Sequence, residues 1–247
     1  MPDIIEGRNA IIEALRSGRE FNRILLARTV GRHSSIAELL HLARQHGVPF
    51  EFVDQGVIER NSPTGTSQGV IAFVAVKEYA GLESLLALAR EKGEAPLLCV
   101  LDGVEDPNNL GAVLRSADGA GFHGVVIRER RAVGLTAAVA RASAGAVEYV
   151  PVARVANIAE TITLLKKQNV WVWGIDMAAK EPYGRIDYTV PCAVVVGGEG
   201  QGLSELVRKR CDSLAHIPMR GKVSSLNVSV AAALVMYEAL RQRSRPK

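Results

Sequence analysis

No stretch of this 247-residue chain approaches the ~18 uncharged apolar residues of a membrane-spanning helix, and the amino terminus lacks the apolar core of a signal peptide. A cytoplasmic protein with no membrane partner is the expectation. Cysteine is scarce. Cys99, Cys192 and Cys211 are odd in number, widely spaced and free of any C-x-x-C, so they read as reduced, buried thiols rather than a disulfide or zinc framework. The five histidines show no metal-ligand spacing, and no metal is expected. Lysine is missing altogether from residues 1–76, where eight arginines are balanced by eight carboxylates.

What is present is ordinary for a soluble globular protein: 48% hydrophobic residues and a length that suits one large domain or two small ones. The net charge of +4 is mild but uneven. Residues 95–247 carry 19 basic and 14 acidic side chains, with clusters at Arg128–Arg131, Arg208–Arg210 and the tail from Arg241. Such clusters are either a solvated basic face or phosphate contacts.

Read in order, Gly7 to Gly18 is a short helix ended by glycine, and Ile24–Ala27 a strand. Ser35-Ile-Ala-Glu38 is a capping box that opens a helix closing at Gly47. Phe50–Val53 and Gly69–Val76 read as further strands, giving a small α/β domain over residues 1–76. Residues 77–94 form a charged, helical linker. Residues 95–247 then repeat a pattern of continuous apolar runs, Pro96–Leu101, Gly124–Ile127, Val147–Val152, Val170–Ile175 and Ala193–Val196, separated by helical segments. Runs of that kind are strands buried on both faces of a parallel sheet, and ligands gather at the carboxyl ends of such strands. From Asn227 to Leu240 a helix is apolar nearly all round, which predicts burial on every side.

Three loops at strand ends are polar: Asp102–Arg115, Gly197–Gly202, and Met219–Ser225 ahead of the last helix. Gly198-x-Gly200-x-Gly202 has the wrong spacing for a dinucleotide fingerprint, and Gly221-Lys222 lacks the other elements of a P-loop. Nucleotide hydrolysis is therefore disfavoured. Asp106-Pro-Asn-Asn-Leu-Gly-Ala-Val-Leu-Arg115, Gly197-Gly-Glu-Gly-Gln-Gly202 and Ile217-Pro-Met-x-Gly-x-Val-Ser-Ser-Leu-Asn-Val-Ser229 resemble, in order, the three motifs of the SpoU/TrmH branch of the SPOUT methyltransferases. The first 76 residues look like that family's L30e-like substrate-binding domain. One departure is Asn108, where the subgroup acting on large-subunit rRNA often has histidine.

The resemblance implies an α/β fold: a carboxy-terminal parallel-sheet SPOUT domain with a deep trefoil knot, plus the small L30e-like domain. It implies methyl transfer from S-adenosylmethionine to a ribose 2′-OH, with 23S rRNA as the foremost substrate and a guanosine as the nucleotide. It also implies a homodimer, RNA and not DNA as partner, and Gly197, Ile217 and Leu226 as cofactor-binding residues. Arg115, Asn109, Glu199, Ser225 and Asn227 fall on its catalytic positions. A guanidinium general base is awkward, since bringing an arginine from above ~12 to near neutrality costs about 7 kcal/mol. Phosphate binding and stabilisation of the developing alkoxide suit Arg115 better. Asn109 could be a plain helix cap. Glu199 could cap backbone N–H groups or orient Arg115 or the ribose. Ser225 and Asn227 could tie the loop, touch the ribose or cap the last helix. The other readings are the same chemistry on a tRNA, a catalytically silent RNA-binding scaffold, and an unrelated nucleotide-dependent α/β enzyme.

Overall fold

A computed structural model describes residues 3–31, 33–198, 202–223 and 225–244. The chain divides into two compact units, Met1–Glu78 with Gly134–Tyr149 and Tyr79–Val133 with Val150–Lys247.

The first unit runs through β1 (Asp3–Glu6), α1 (Arg8–Arg16), β2 (Phe21–Ala27), α2 (Ser34–Gln45), β3 (Phe50–Val53), α3 (Gln55–Asn61) and β4 (Val70–Val74). Its four strands lie in the order β1-β4-β2-β3, with β4 antiparallel to both neighbours and β2 parallel to β3. Alternation of side chains along β2 and β4 sends Ile24, Leu26, Val70 and Ala72 to one face, where α1 and α2 bury Ile11, Leu15 and Leu39 on them. Leu25 and Ile71 point the other way and meet Ile58 of α3. The expected capping box does not form as drawn. His33 is the N-cap of α2, its ring accepting from the Ser35 amide, and Glu38 pairs with Arg16 instead.

The chain then continues through α4 (Leu82–Glu91), β5 (Leu97–Asp102), α5 (Pro107–Gly119) and β6 (Gly124–Arg128) to α6 (Ala137–Ala142). Here it re-enters the first unit. The apolar run from Val147 is not the start of a strand: Ala146–Glu148 is a single 3-10 turn following Gly145, whose φ is 95°. The reason lies in Glu148. Its side chain is 1% exposed and sits between Arg19 Nη1 at 2.7 Å and Lys77 Nζ at 3.0 Å. A buried carboxylate is stable only when paired in this way, and its two partners lie in the first unit. Residues 134–149 thus belong to the amino-terminal unit, a return that the sequence did not announce.

The second unit resumes with β7 (Val152–Val155), α7 (Ile158–Lys167), β8 (Trp171–Ile175), β9 (Glu181–Pro182), β10 (Cys192–Gly197), α8 (Glu205–Arg210), β11 (Ser213–His216) and α9 (Val228–Arg243). The sheet order is β7-β6-β5-β10-β8-β11-β9, and every strand pairing in it is parallel. All six residues of β5 are buried, as a strand covered on both faces requires. Strand β10 lies between β5 and β8, although both precede it in the chain. The carboxyl ends of β5, β10, β8 and β11 are therefore adjacent, at the point where the sheet changes its direction of winding. No helix among the described residues is long and apolar enough to cross a membrane.

One expectation fails along α9. Val228, Ala232, Val235, Met236 and Ala239 are buried, but Val230, Leu234 and Tyr237 are 47%, 39% and 53% exposed. An apolar helix circumference need not be covered all round by its own chain.

Candidate active site

The site grows out of the two glycine-bearing bends and the start of α9. At the end of β10, Gly197 and Gly198 bring backbone against backbone: a Cβ on Gly197 would stand 2.1 Å from the Gly202 carbonyl carbon, and one on Gly198 2.2 Å from the Gly103 oxygen. Only glycine fits such an approach. Gly198 N–H donates to the Asp102 carbonyl and Gly202 N–H to the Gly198 carbonyl, so the β5 and β10 ends are tied together. The Asp102 side chain adds a third link, accepting the Ser204 amide at 2.9 Å.

Between this bend and the loop before α9 lies a cavity of about 580 Å³. Gly197, Ile217 and Leu226 all line it, as does Ser225. Its walls are backbone and aliphatic side chains, among them Ile175, Val196 and Val228, with Asp176 and Arg208 at one side. An adjoining cavity of about 470 Å³ is lined by Asp102, Asp106, Asn109 and Arg128, and it shares Gly198, Gly202 and Val228 with the first.

Asn227 is the N-cap of α9: its Oδ1 accepts from Ser229 N at 2.9 Å and Val230 N at 3.4 Å. Those two donors fix the orientation of the amide, so Nδ2 is left to donate, and it reaches Asn109 Oδ1 at 3.0 Å. Asn109 is not the cap of α5. That role falls to Asp106, whose carboxylate accepts the Asn108 amide at 3.0 Å, while Asn109 sits three residues further in and is 6% exposed. Two residues 118 positions apart are thus joined directly at the edge of the cavity. Ser225 and Asn227 are both exposed.

Arg115 is elsewhere. It projects into solvent from α5, makes no ion pair among the described residues, and does not join the Asn109–Asn227 pair. Ala112, three residues before it, and Ser116, the next residue, border the open face of α9 with Val230, Leu234 and Tyr237. Glu199 lies outside the described residues. Sequence reading singled out the loops after Leu101, Val196 and Ile217 but passed over the end of β8, and so missed Asp176; Arg208 entered only as part of a basic cluster. The one cue in the sequence was that Asp176 directly follows a strand of the same parallel sheet.

An adenosyl group needs directional backbone N–H and C=O groups inside an apolar slot, and the larger cavity offers that combination. Its volume falls in the range of pockets that enclose a nucleoside-sized ligand. The residues present therefore fit S-adenosylmethionine.

Comparison with known proteins agrees with this geometry. The profile of the SpoU rRNA Methylase family matches residues 96–237, and that of the RNA 2′-O ribose methyltransferase substrate binding domain matches residues 4–80. The chain is 45% identical over 242 residues to YacO of Bacillus subtilis, named as a TrmH family tRNA/rRNA methyltransferase, covering 98% of this chain and 96% of that one. A TrmH family protein of Staphylococcus saprophyticus is 42% identical over 241 residues, again covering 98% and 96%. Among solved structures, the SpoU methyltransferase AviRb of Streptomyces viridochromogenes in complex with AdoMet superposes with a TM-score of 0.80 at 26% identity, covering 97% of this chain and 90% of that one. An RNA 2′-O ribose methyltransferase superposes with a TM-score of 0.79 at 31% identity, covering 97% and 88%. Two motif-bearing bends against one cavity, a matching profile over most of the second unit, and relatives aligned end to end lead to one conclusion: this chain belongs to the SpoU rRNA methylase family.

Proposed function

We propose that this protein, as a homodimer, transfers a methyl group from S-adenosylmethionine to the ribose 2′-OH of a guanosine in 23S rRNA. The observation that carries the reading is the convergence of Gly197, Ile217 and Leu226 on one cavity, with the Asn109–Asn227 pair at its edge. Bound there, the cofactor supplies a sulfonium-activated methyl group.

The remaining work is alignment and proton removal. Asn227 and Asn109 hold the start of α9 against α5 and fix one wall of the site. Ser225 touches the ribose in this reading, which its exposed position in the cavity lining supports. Arg115 binds the phosphate next to the target ribose and stabilises the 2′-oxygen as its proton leaves late in the step. Glu199 orients Arg115 or the ribose.

Arg115 is not among the described residues that line either cavity, and Ala112 and Ser116, near it on α5, border the apolar strip of α9. In the proposed dimer a second copy seats on Val230, Leu234 and Tyr237 and covers that exposed strip, and Arg115 acts at the partner's cavity. The exposed strip supports the dimer as the catalytic form. The deep trefoil knot belongs to the same reading; in its favour are the insertion of β10 between two earlier strands and the backbone-to-backbone closure at Gly197. The substrate-binding profile over residues 4–80 supports RNA as the substrate.

The test is methylation of total RNA from a strain lacking this gene, with tritiated cofactor and mapping of the labelled nucleotide. Label at a 23S rRNA guanosine supports the proposal, and label in tRNA alone overturns the choice of substrate. In the same assay Arg115→Ala should abolish transfer while cofactor affinity stays within about twofold of wild type. An active Arg115→Ala enzyme removes that residue from the mechanism.

A further inference from the structure

Of the fourteen described residues that line the larger cavity, only Asp176 and Arg208 carry charge. The rest are glycine, aliphatic or neutral polar. A carboxylate in such a wall is costly unless something compensates it. Asp176 lies just past the end of β8, its side chain 7% exposed. Its position is fixed by several bonds. The backbone N–H donates to Ala215 O at 2.9 Å, and Oδ1 accepts the Ala178 amide at 2.9 Å. Oδ2 lies 2.5 Å from Arg208 Nη2 on α8.

These contacts hold the carboxylate still without exhausting it. An ionised carboxylate has about four acceptor positions, and two are occupied here. Backbone groups of the glycine-bearing bends suit the adenine, whose edge alternates donors and acceptors. The other polar parts of S-adenosylmethionine make a different demand. A vicinal ribose diol and an α-ammonium each present clustered donors and are best met by an ionised acceptor in a partly dry wall.

We propose that Asp176 is a cofactor-binding residue: its carboxylate, held by Arg208 and the Ala178 amide, accepts hydrogen bonds from the clustered O–H or N–H donors that S-adenosylmethionine carries beyond its adenine. This rests on the reading of the cavity as the cofactor site. Arg208 is a positioning residue that acts through Asp176.

Titration calorimetry on the purified full chain tests this with three probes: S-adenosylhomocysteine carries both diol and ammonium, 5′-methylthioadenosine the diol alone, and adenine neither. Asp176→Asn keeps the size of the side chain and the bond to Ala178 while removing the charge. It should weaken S-adenosylhomocysteine by about tenfold or more and leave adenine unchanged. A matching loss for 5′-methylthioadenosine assigns the contact to the ribose, and a loss confined to S-adenosylhomocysteine assigns it to the ammonium. Asp176→Asn binding S-adenosylhomocysteine within about twofold of wild type overturns the proposal, as does an equal loss for adenine, which marks collapse of the cavity rather than a lost contact. Arg208→Met, at a half-exposed position, should give a smaller loss that Arg208→Lys restores; no loss in Arg208→Met overturns the positioning role. Wild-type protein that binds none of the three probes sinks the cofactor reading itself, a result distinct from any of these.

Discussion

Replacing Asn227 by alanine removes two things at once. The first is the cap of α9, in which Oδ1 satisfies the amides of Ser229 and Val230; loss of an Asn cap costs about 1 kcal/mol. The second is the bond from Nδ2 to Asn109 Oδ1 at 3.0 Å. Asn109 is 6% exposed, so water replaces that donor poorly and about 1 kcal/mol more is lost. The sum, about 2 kcal/mol, lowers Tm by about 4–8 °C for a chain of this size. Asn227→Asp separates the two shares. A carboxylate caps a helix at least as well but cannot donate to Asn109, so it should recover about half of the loss. The chain's two tryptophans both lie in β8, and their fluorescence therefore follows unfolding of the second unit alone. A Tm change below about 2 °C for Asn227→Ala, or equal losses for the two variants, would refute the argument.

Two further outcomes are expected. His123 is fully buried; its Nδ1 accepts the Leu97 amide at 3.1 Å, which leaves Nε2–H to donate to Glu94, 3.1 Å away. Burial, against the pull of Glu94, holds its pKa below the ordinary histidine value, so the unfolded chain binds the proton more readily. Stability should therefore fall as pH drops below about 6.5, and His123→Gln should flatten that slope in thermal unfolding measured from pH 7 to 5; an unchanged slope counts against the assignment. The thiols of Cys99, Cys192 and Cys211 are each pushed up to about 12 by burial. All three should resist a chromogenic disulfide reagent at pH 8 in the native protein and react together on unfolding, whereas one fast-reacting thiol would contradict this.

Much of the second unit was legible because a strand buried on both faces has a plain signature. Leu97–Asp102 and Cys192–Gly197 are continuous apolar runs, and both are central strands. The same signature misled at Val147, where a run of similar composition is bent by Gly145 and held in the first unit by its glutamate. Partners distant in sequence decide such a case, and local composition does not record them. For the same reason Asn109 read as a cap, since its bond to a residue 118 positions away is invisible to spacing. The circumference of α9 was read correctly as apolar, but whether a chain covers its own helix depends on packing. Asp176 was overlooked because a single acid after a strand carries no motif; only the near absence of charge around it gives it meaning.

The excursion of residues 134–149 bears on how this protein is made. The amino-terminal unit cannot be completed until the ribosome has passed Tyr149, because the carboxylate that neutralises Arg19 and Lys77 is translated only then. A fragment ending near residue 78 would leave Lys77 without its carboxylate partner and Arg19 with Asp3 alone, and it would lack one of its own helices, α6. The backbone also passes from one unit to the other three times, so a single cut in any one connection leaves both halves joined. Nascent-chain length, rather than domain order, should set when the amino-terminal unit first becomes resistant to protease.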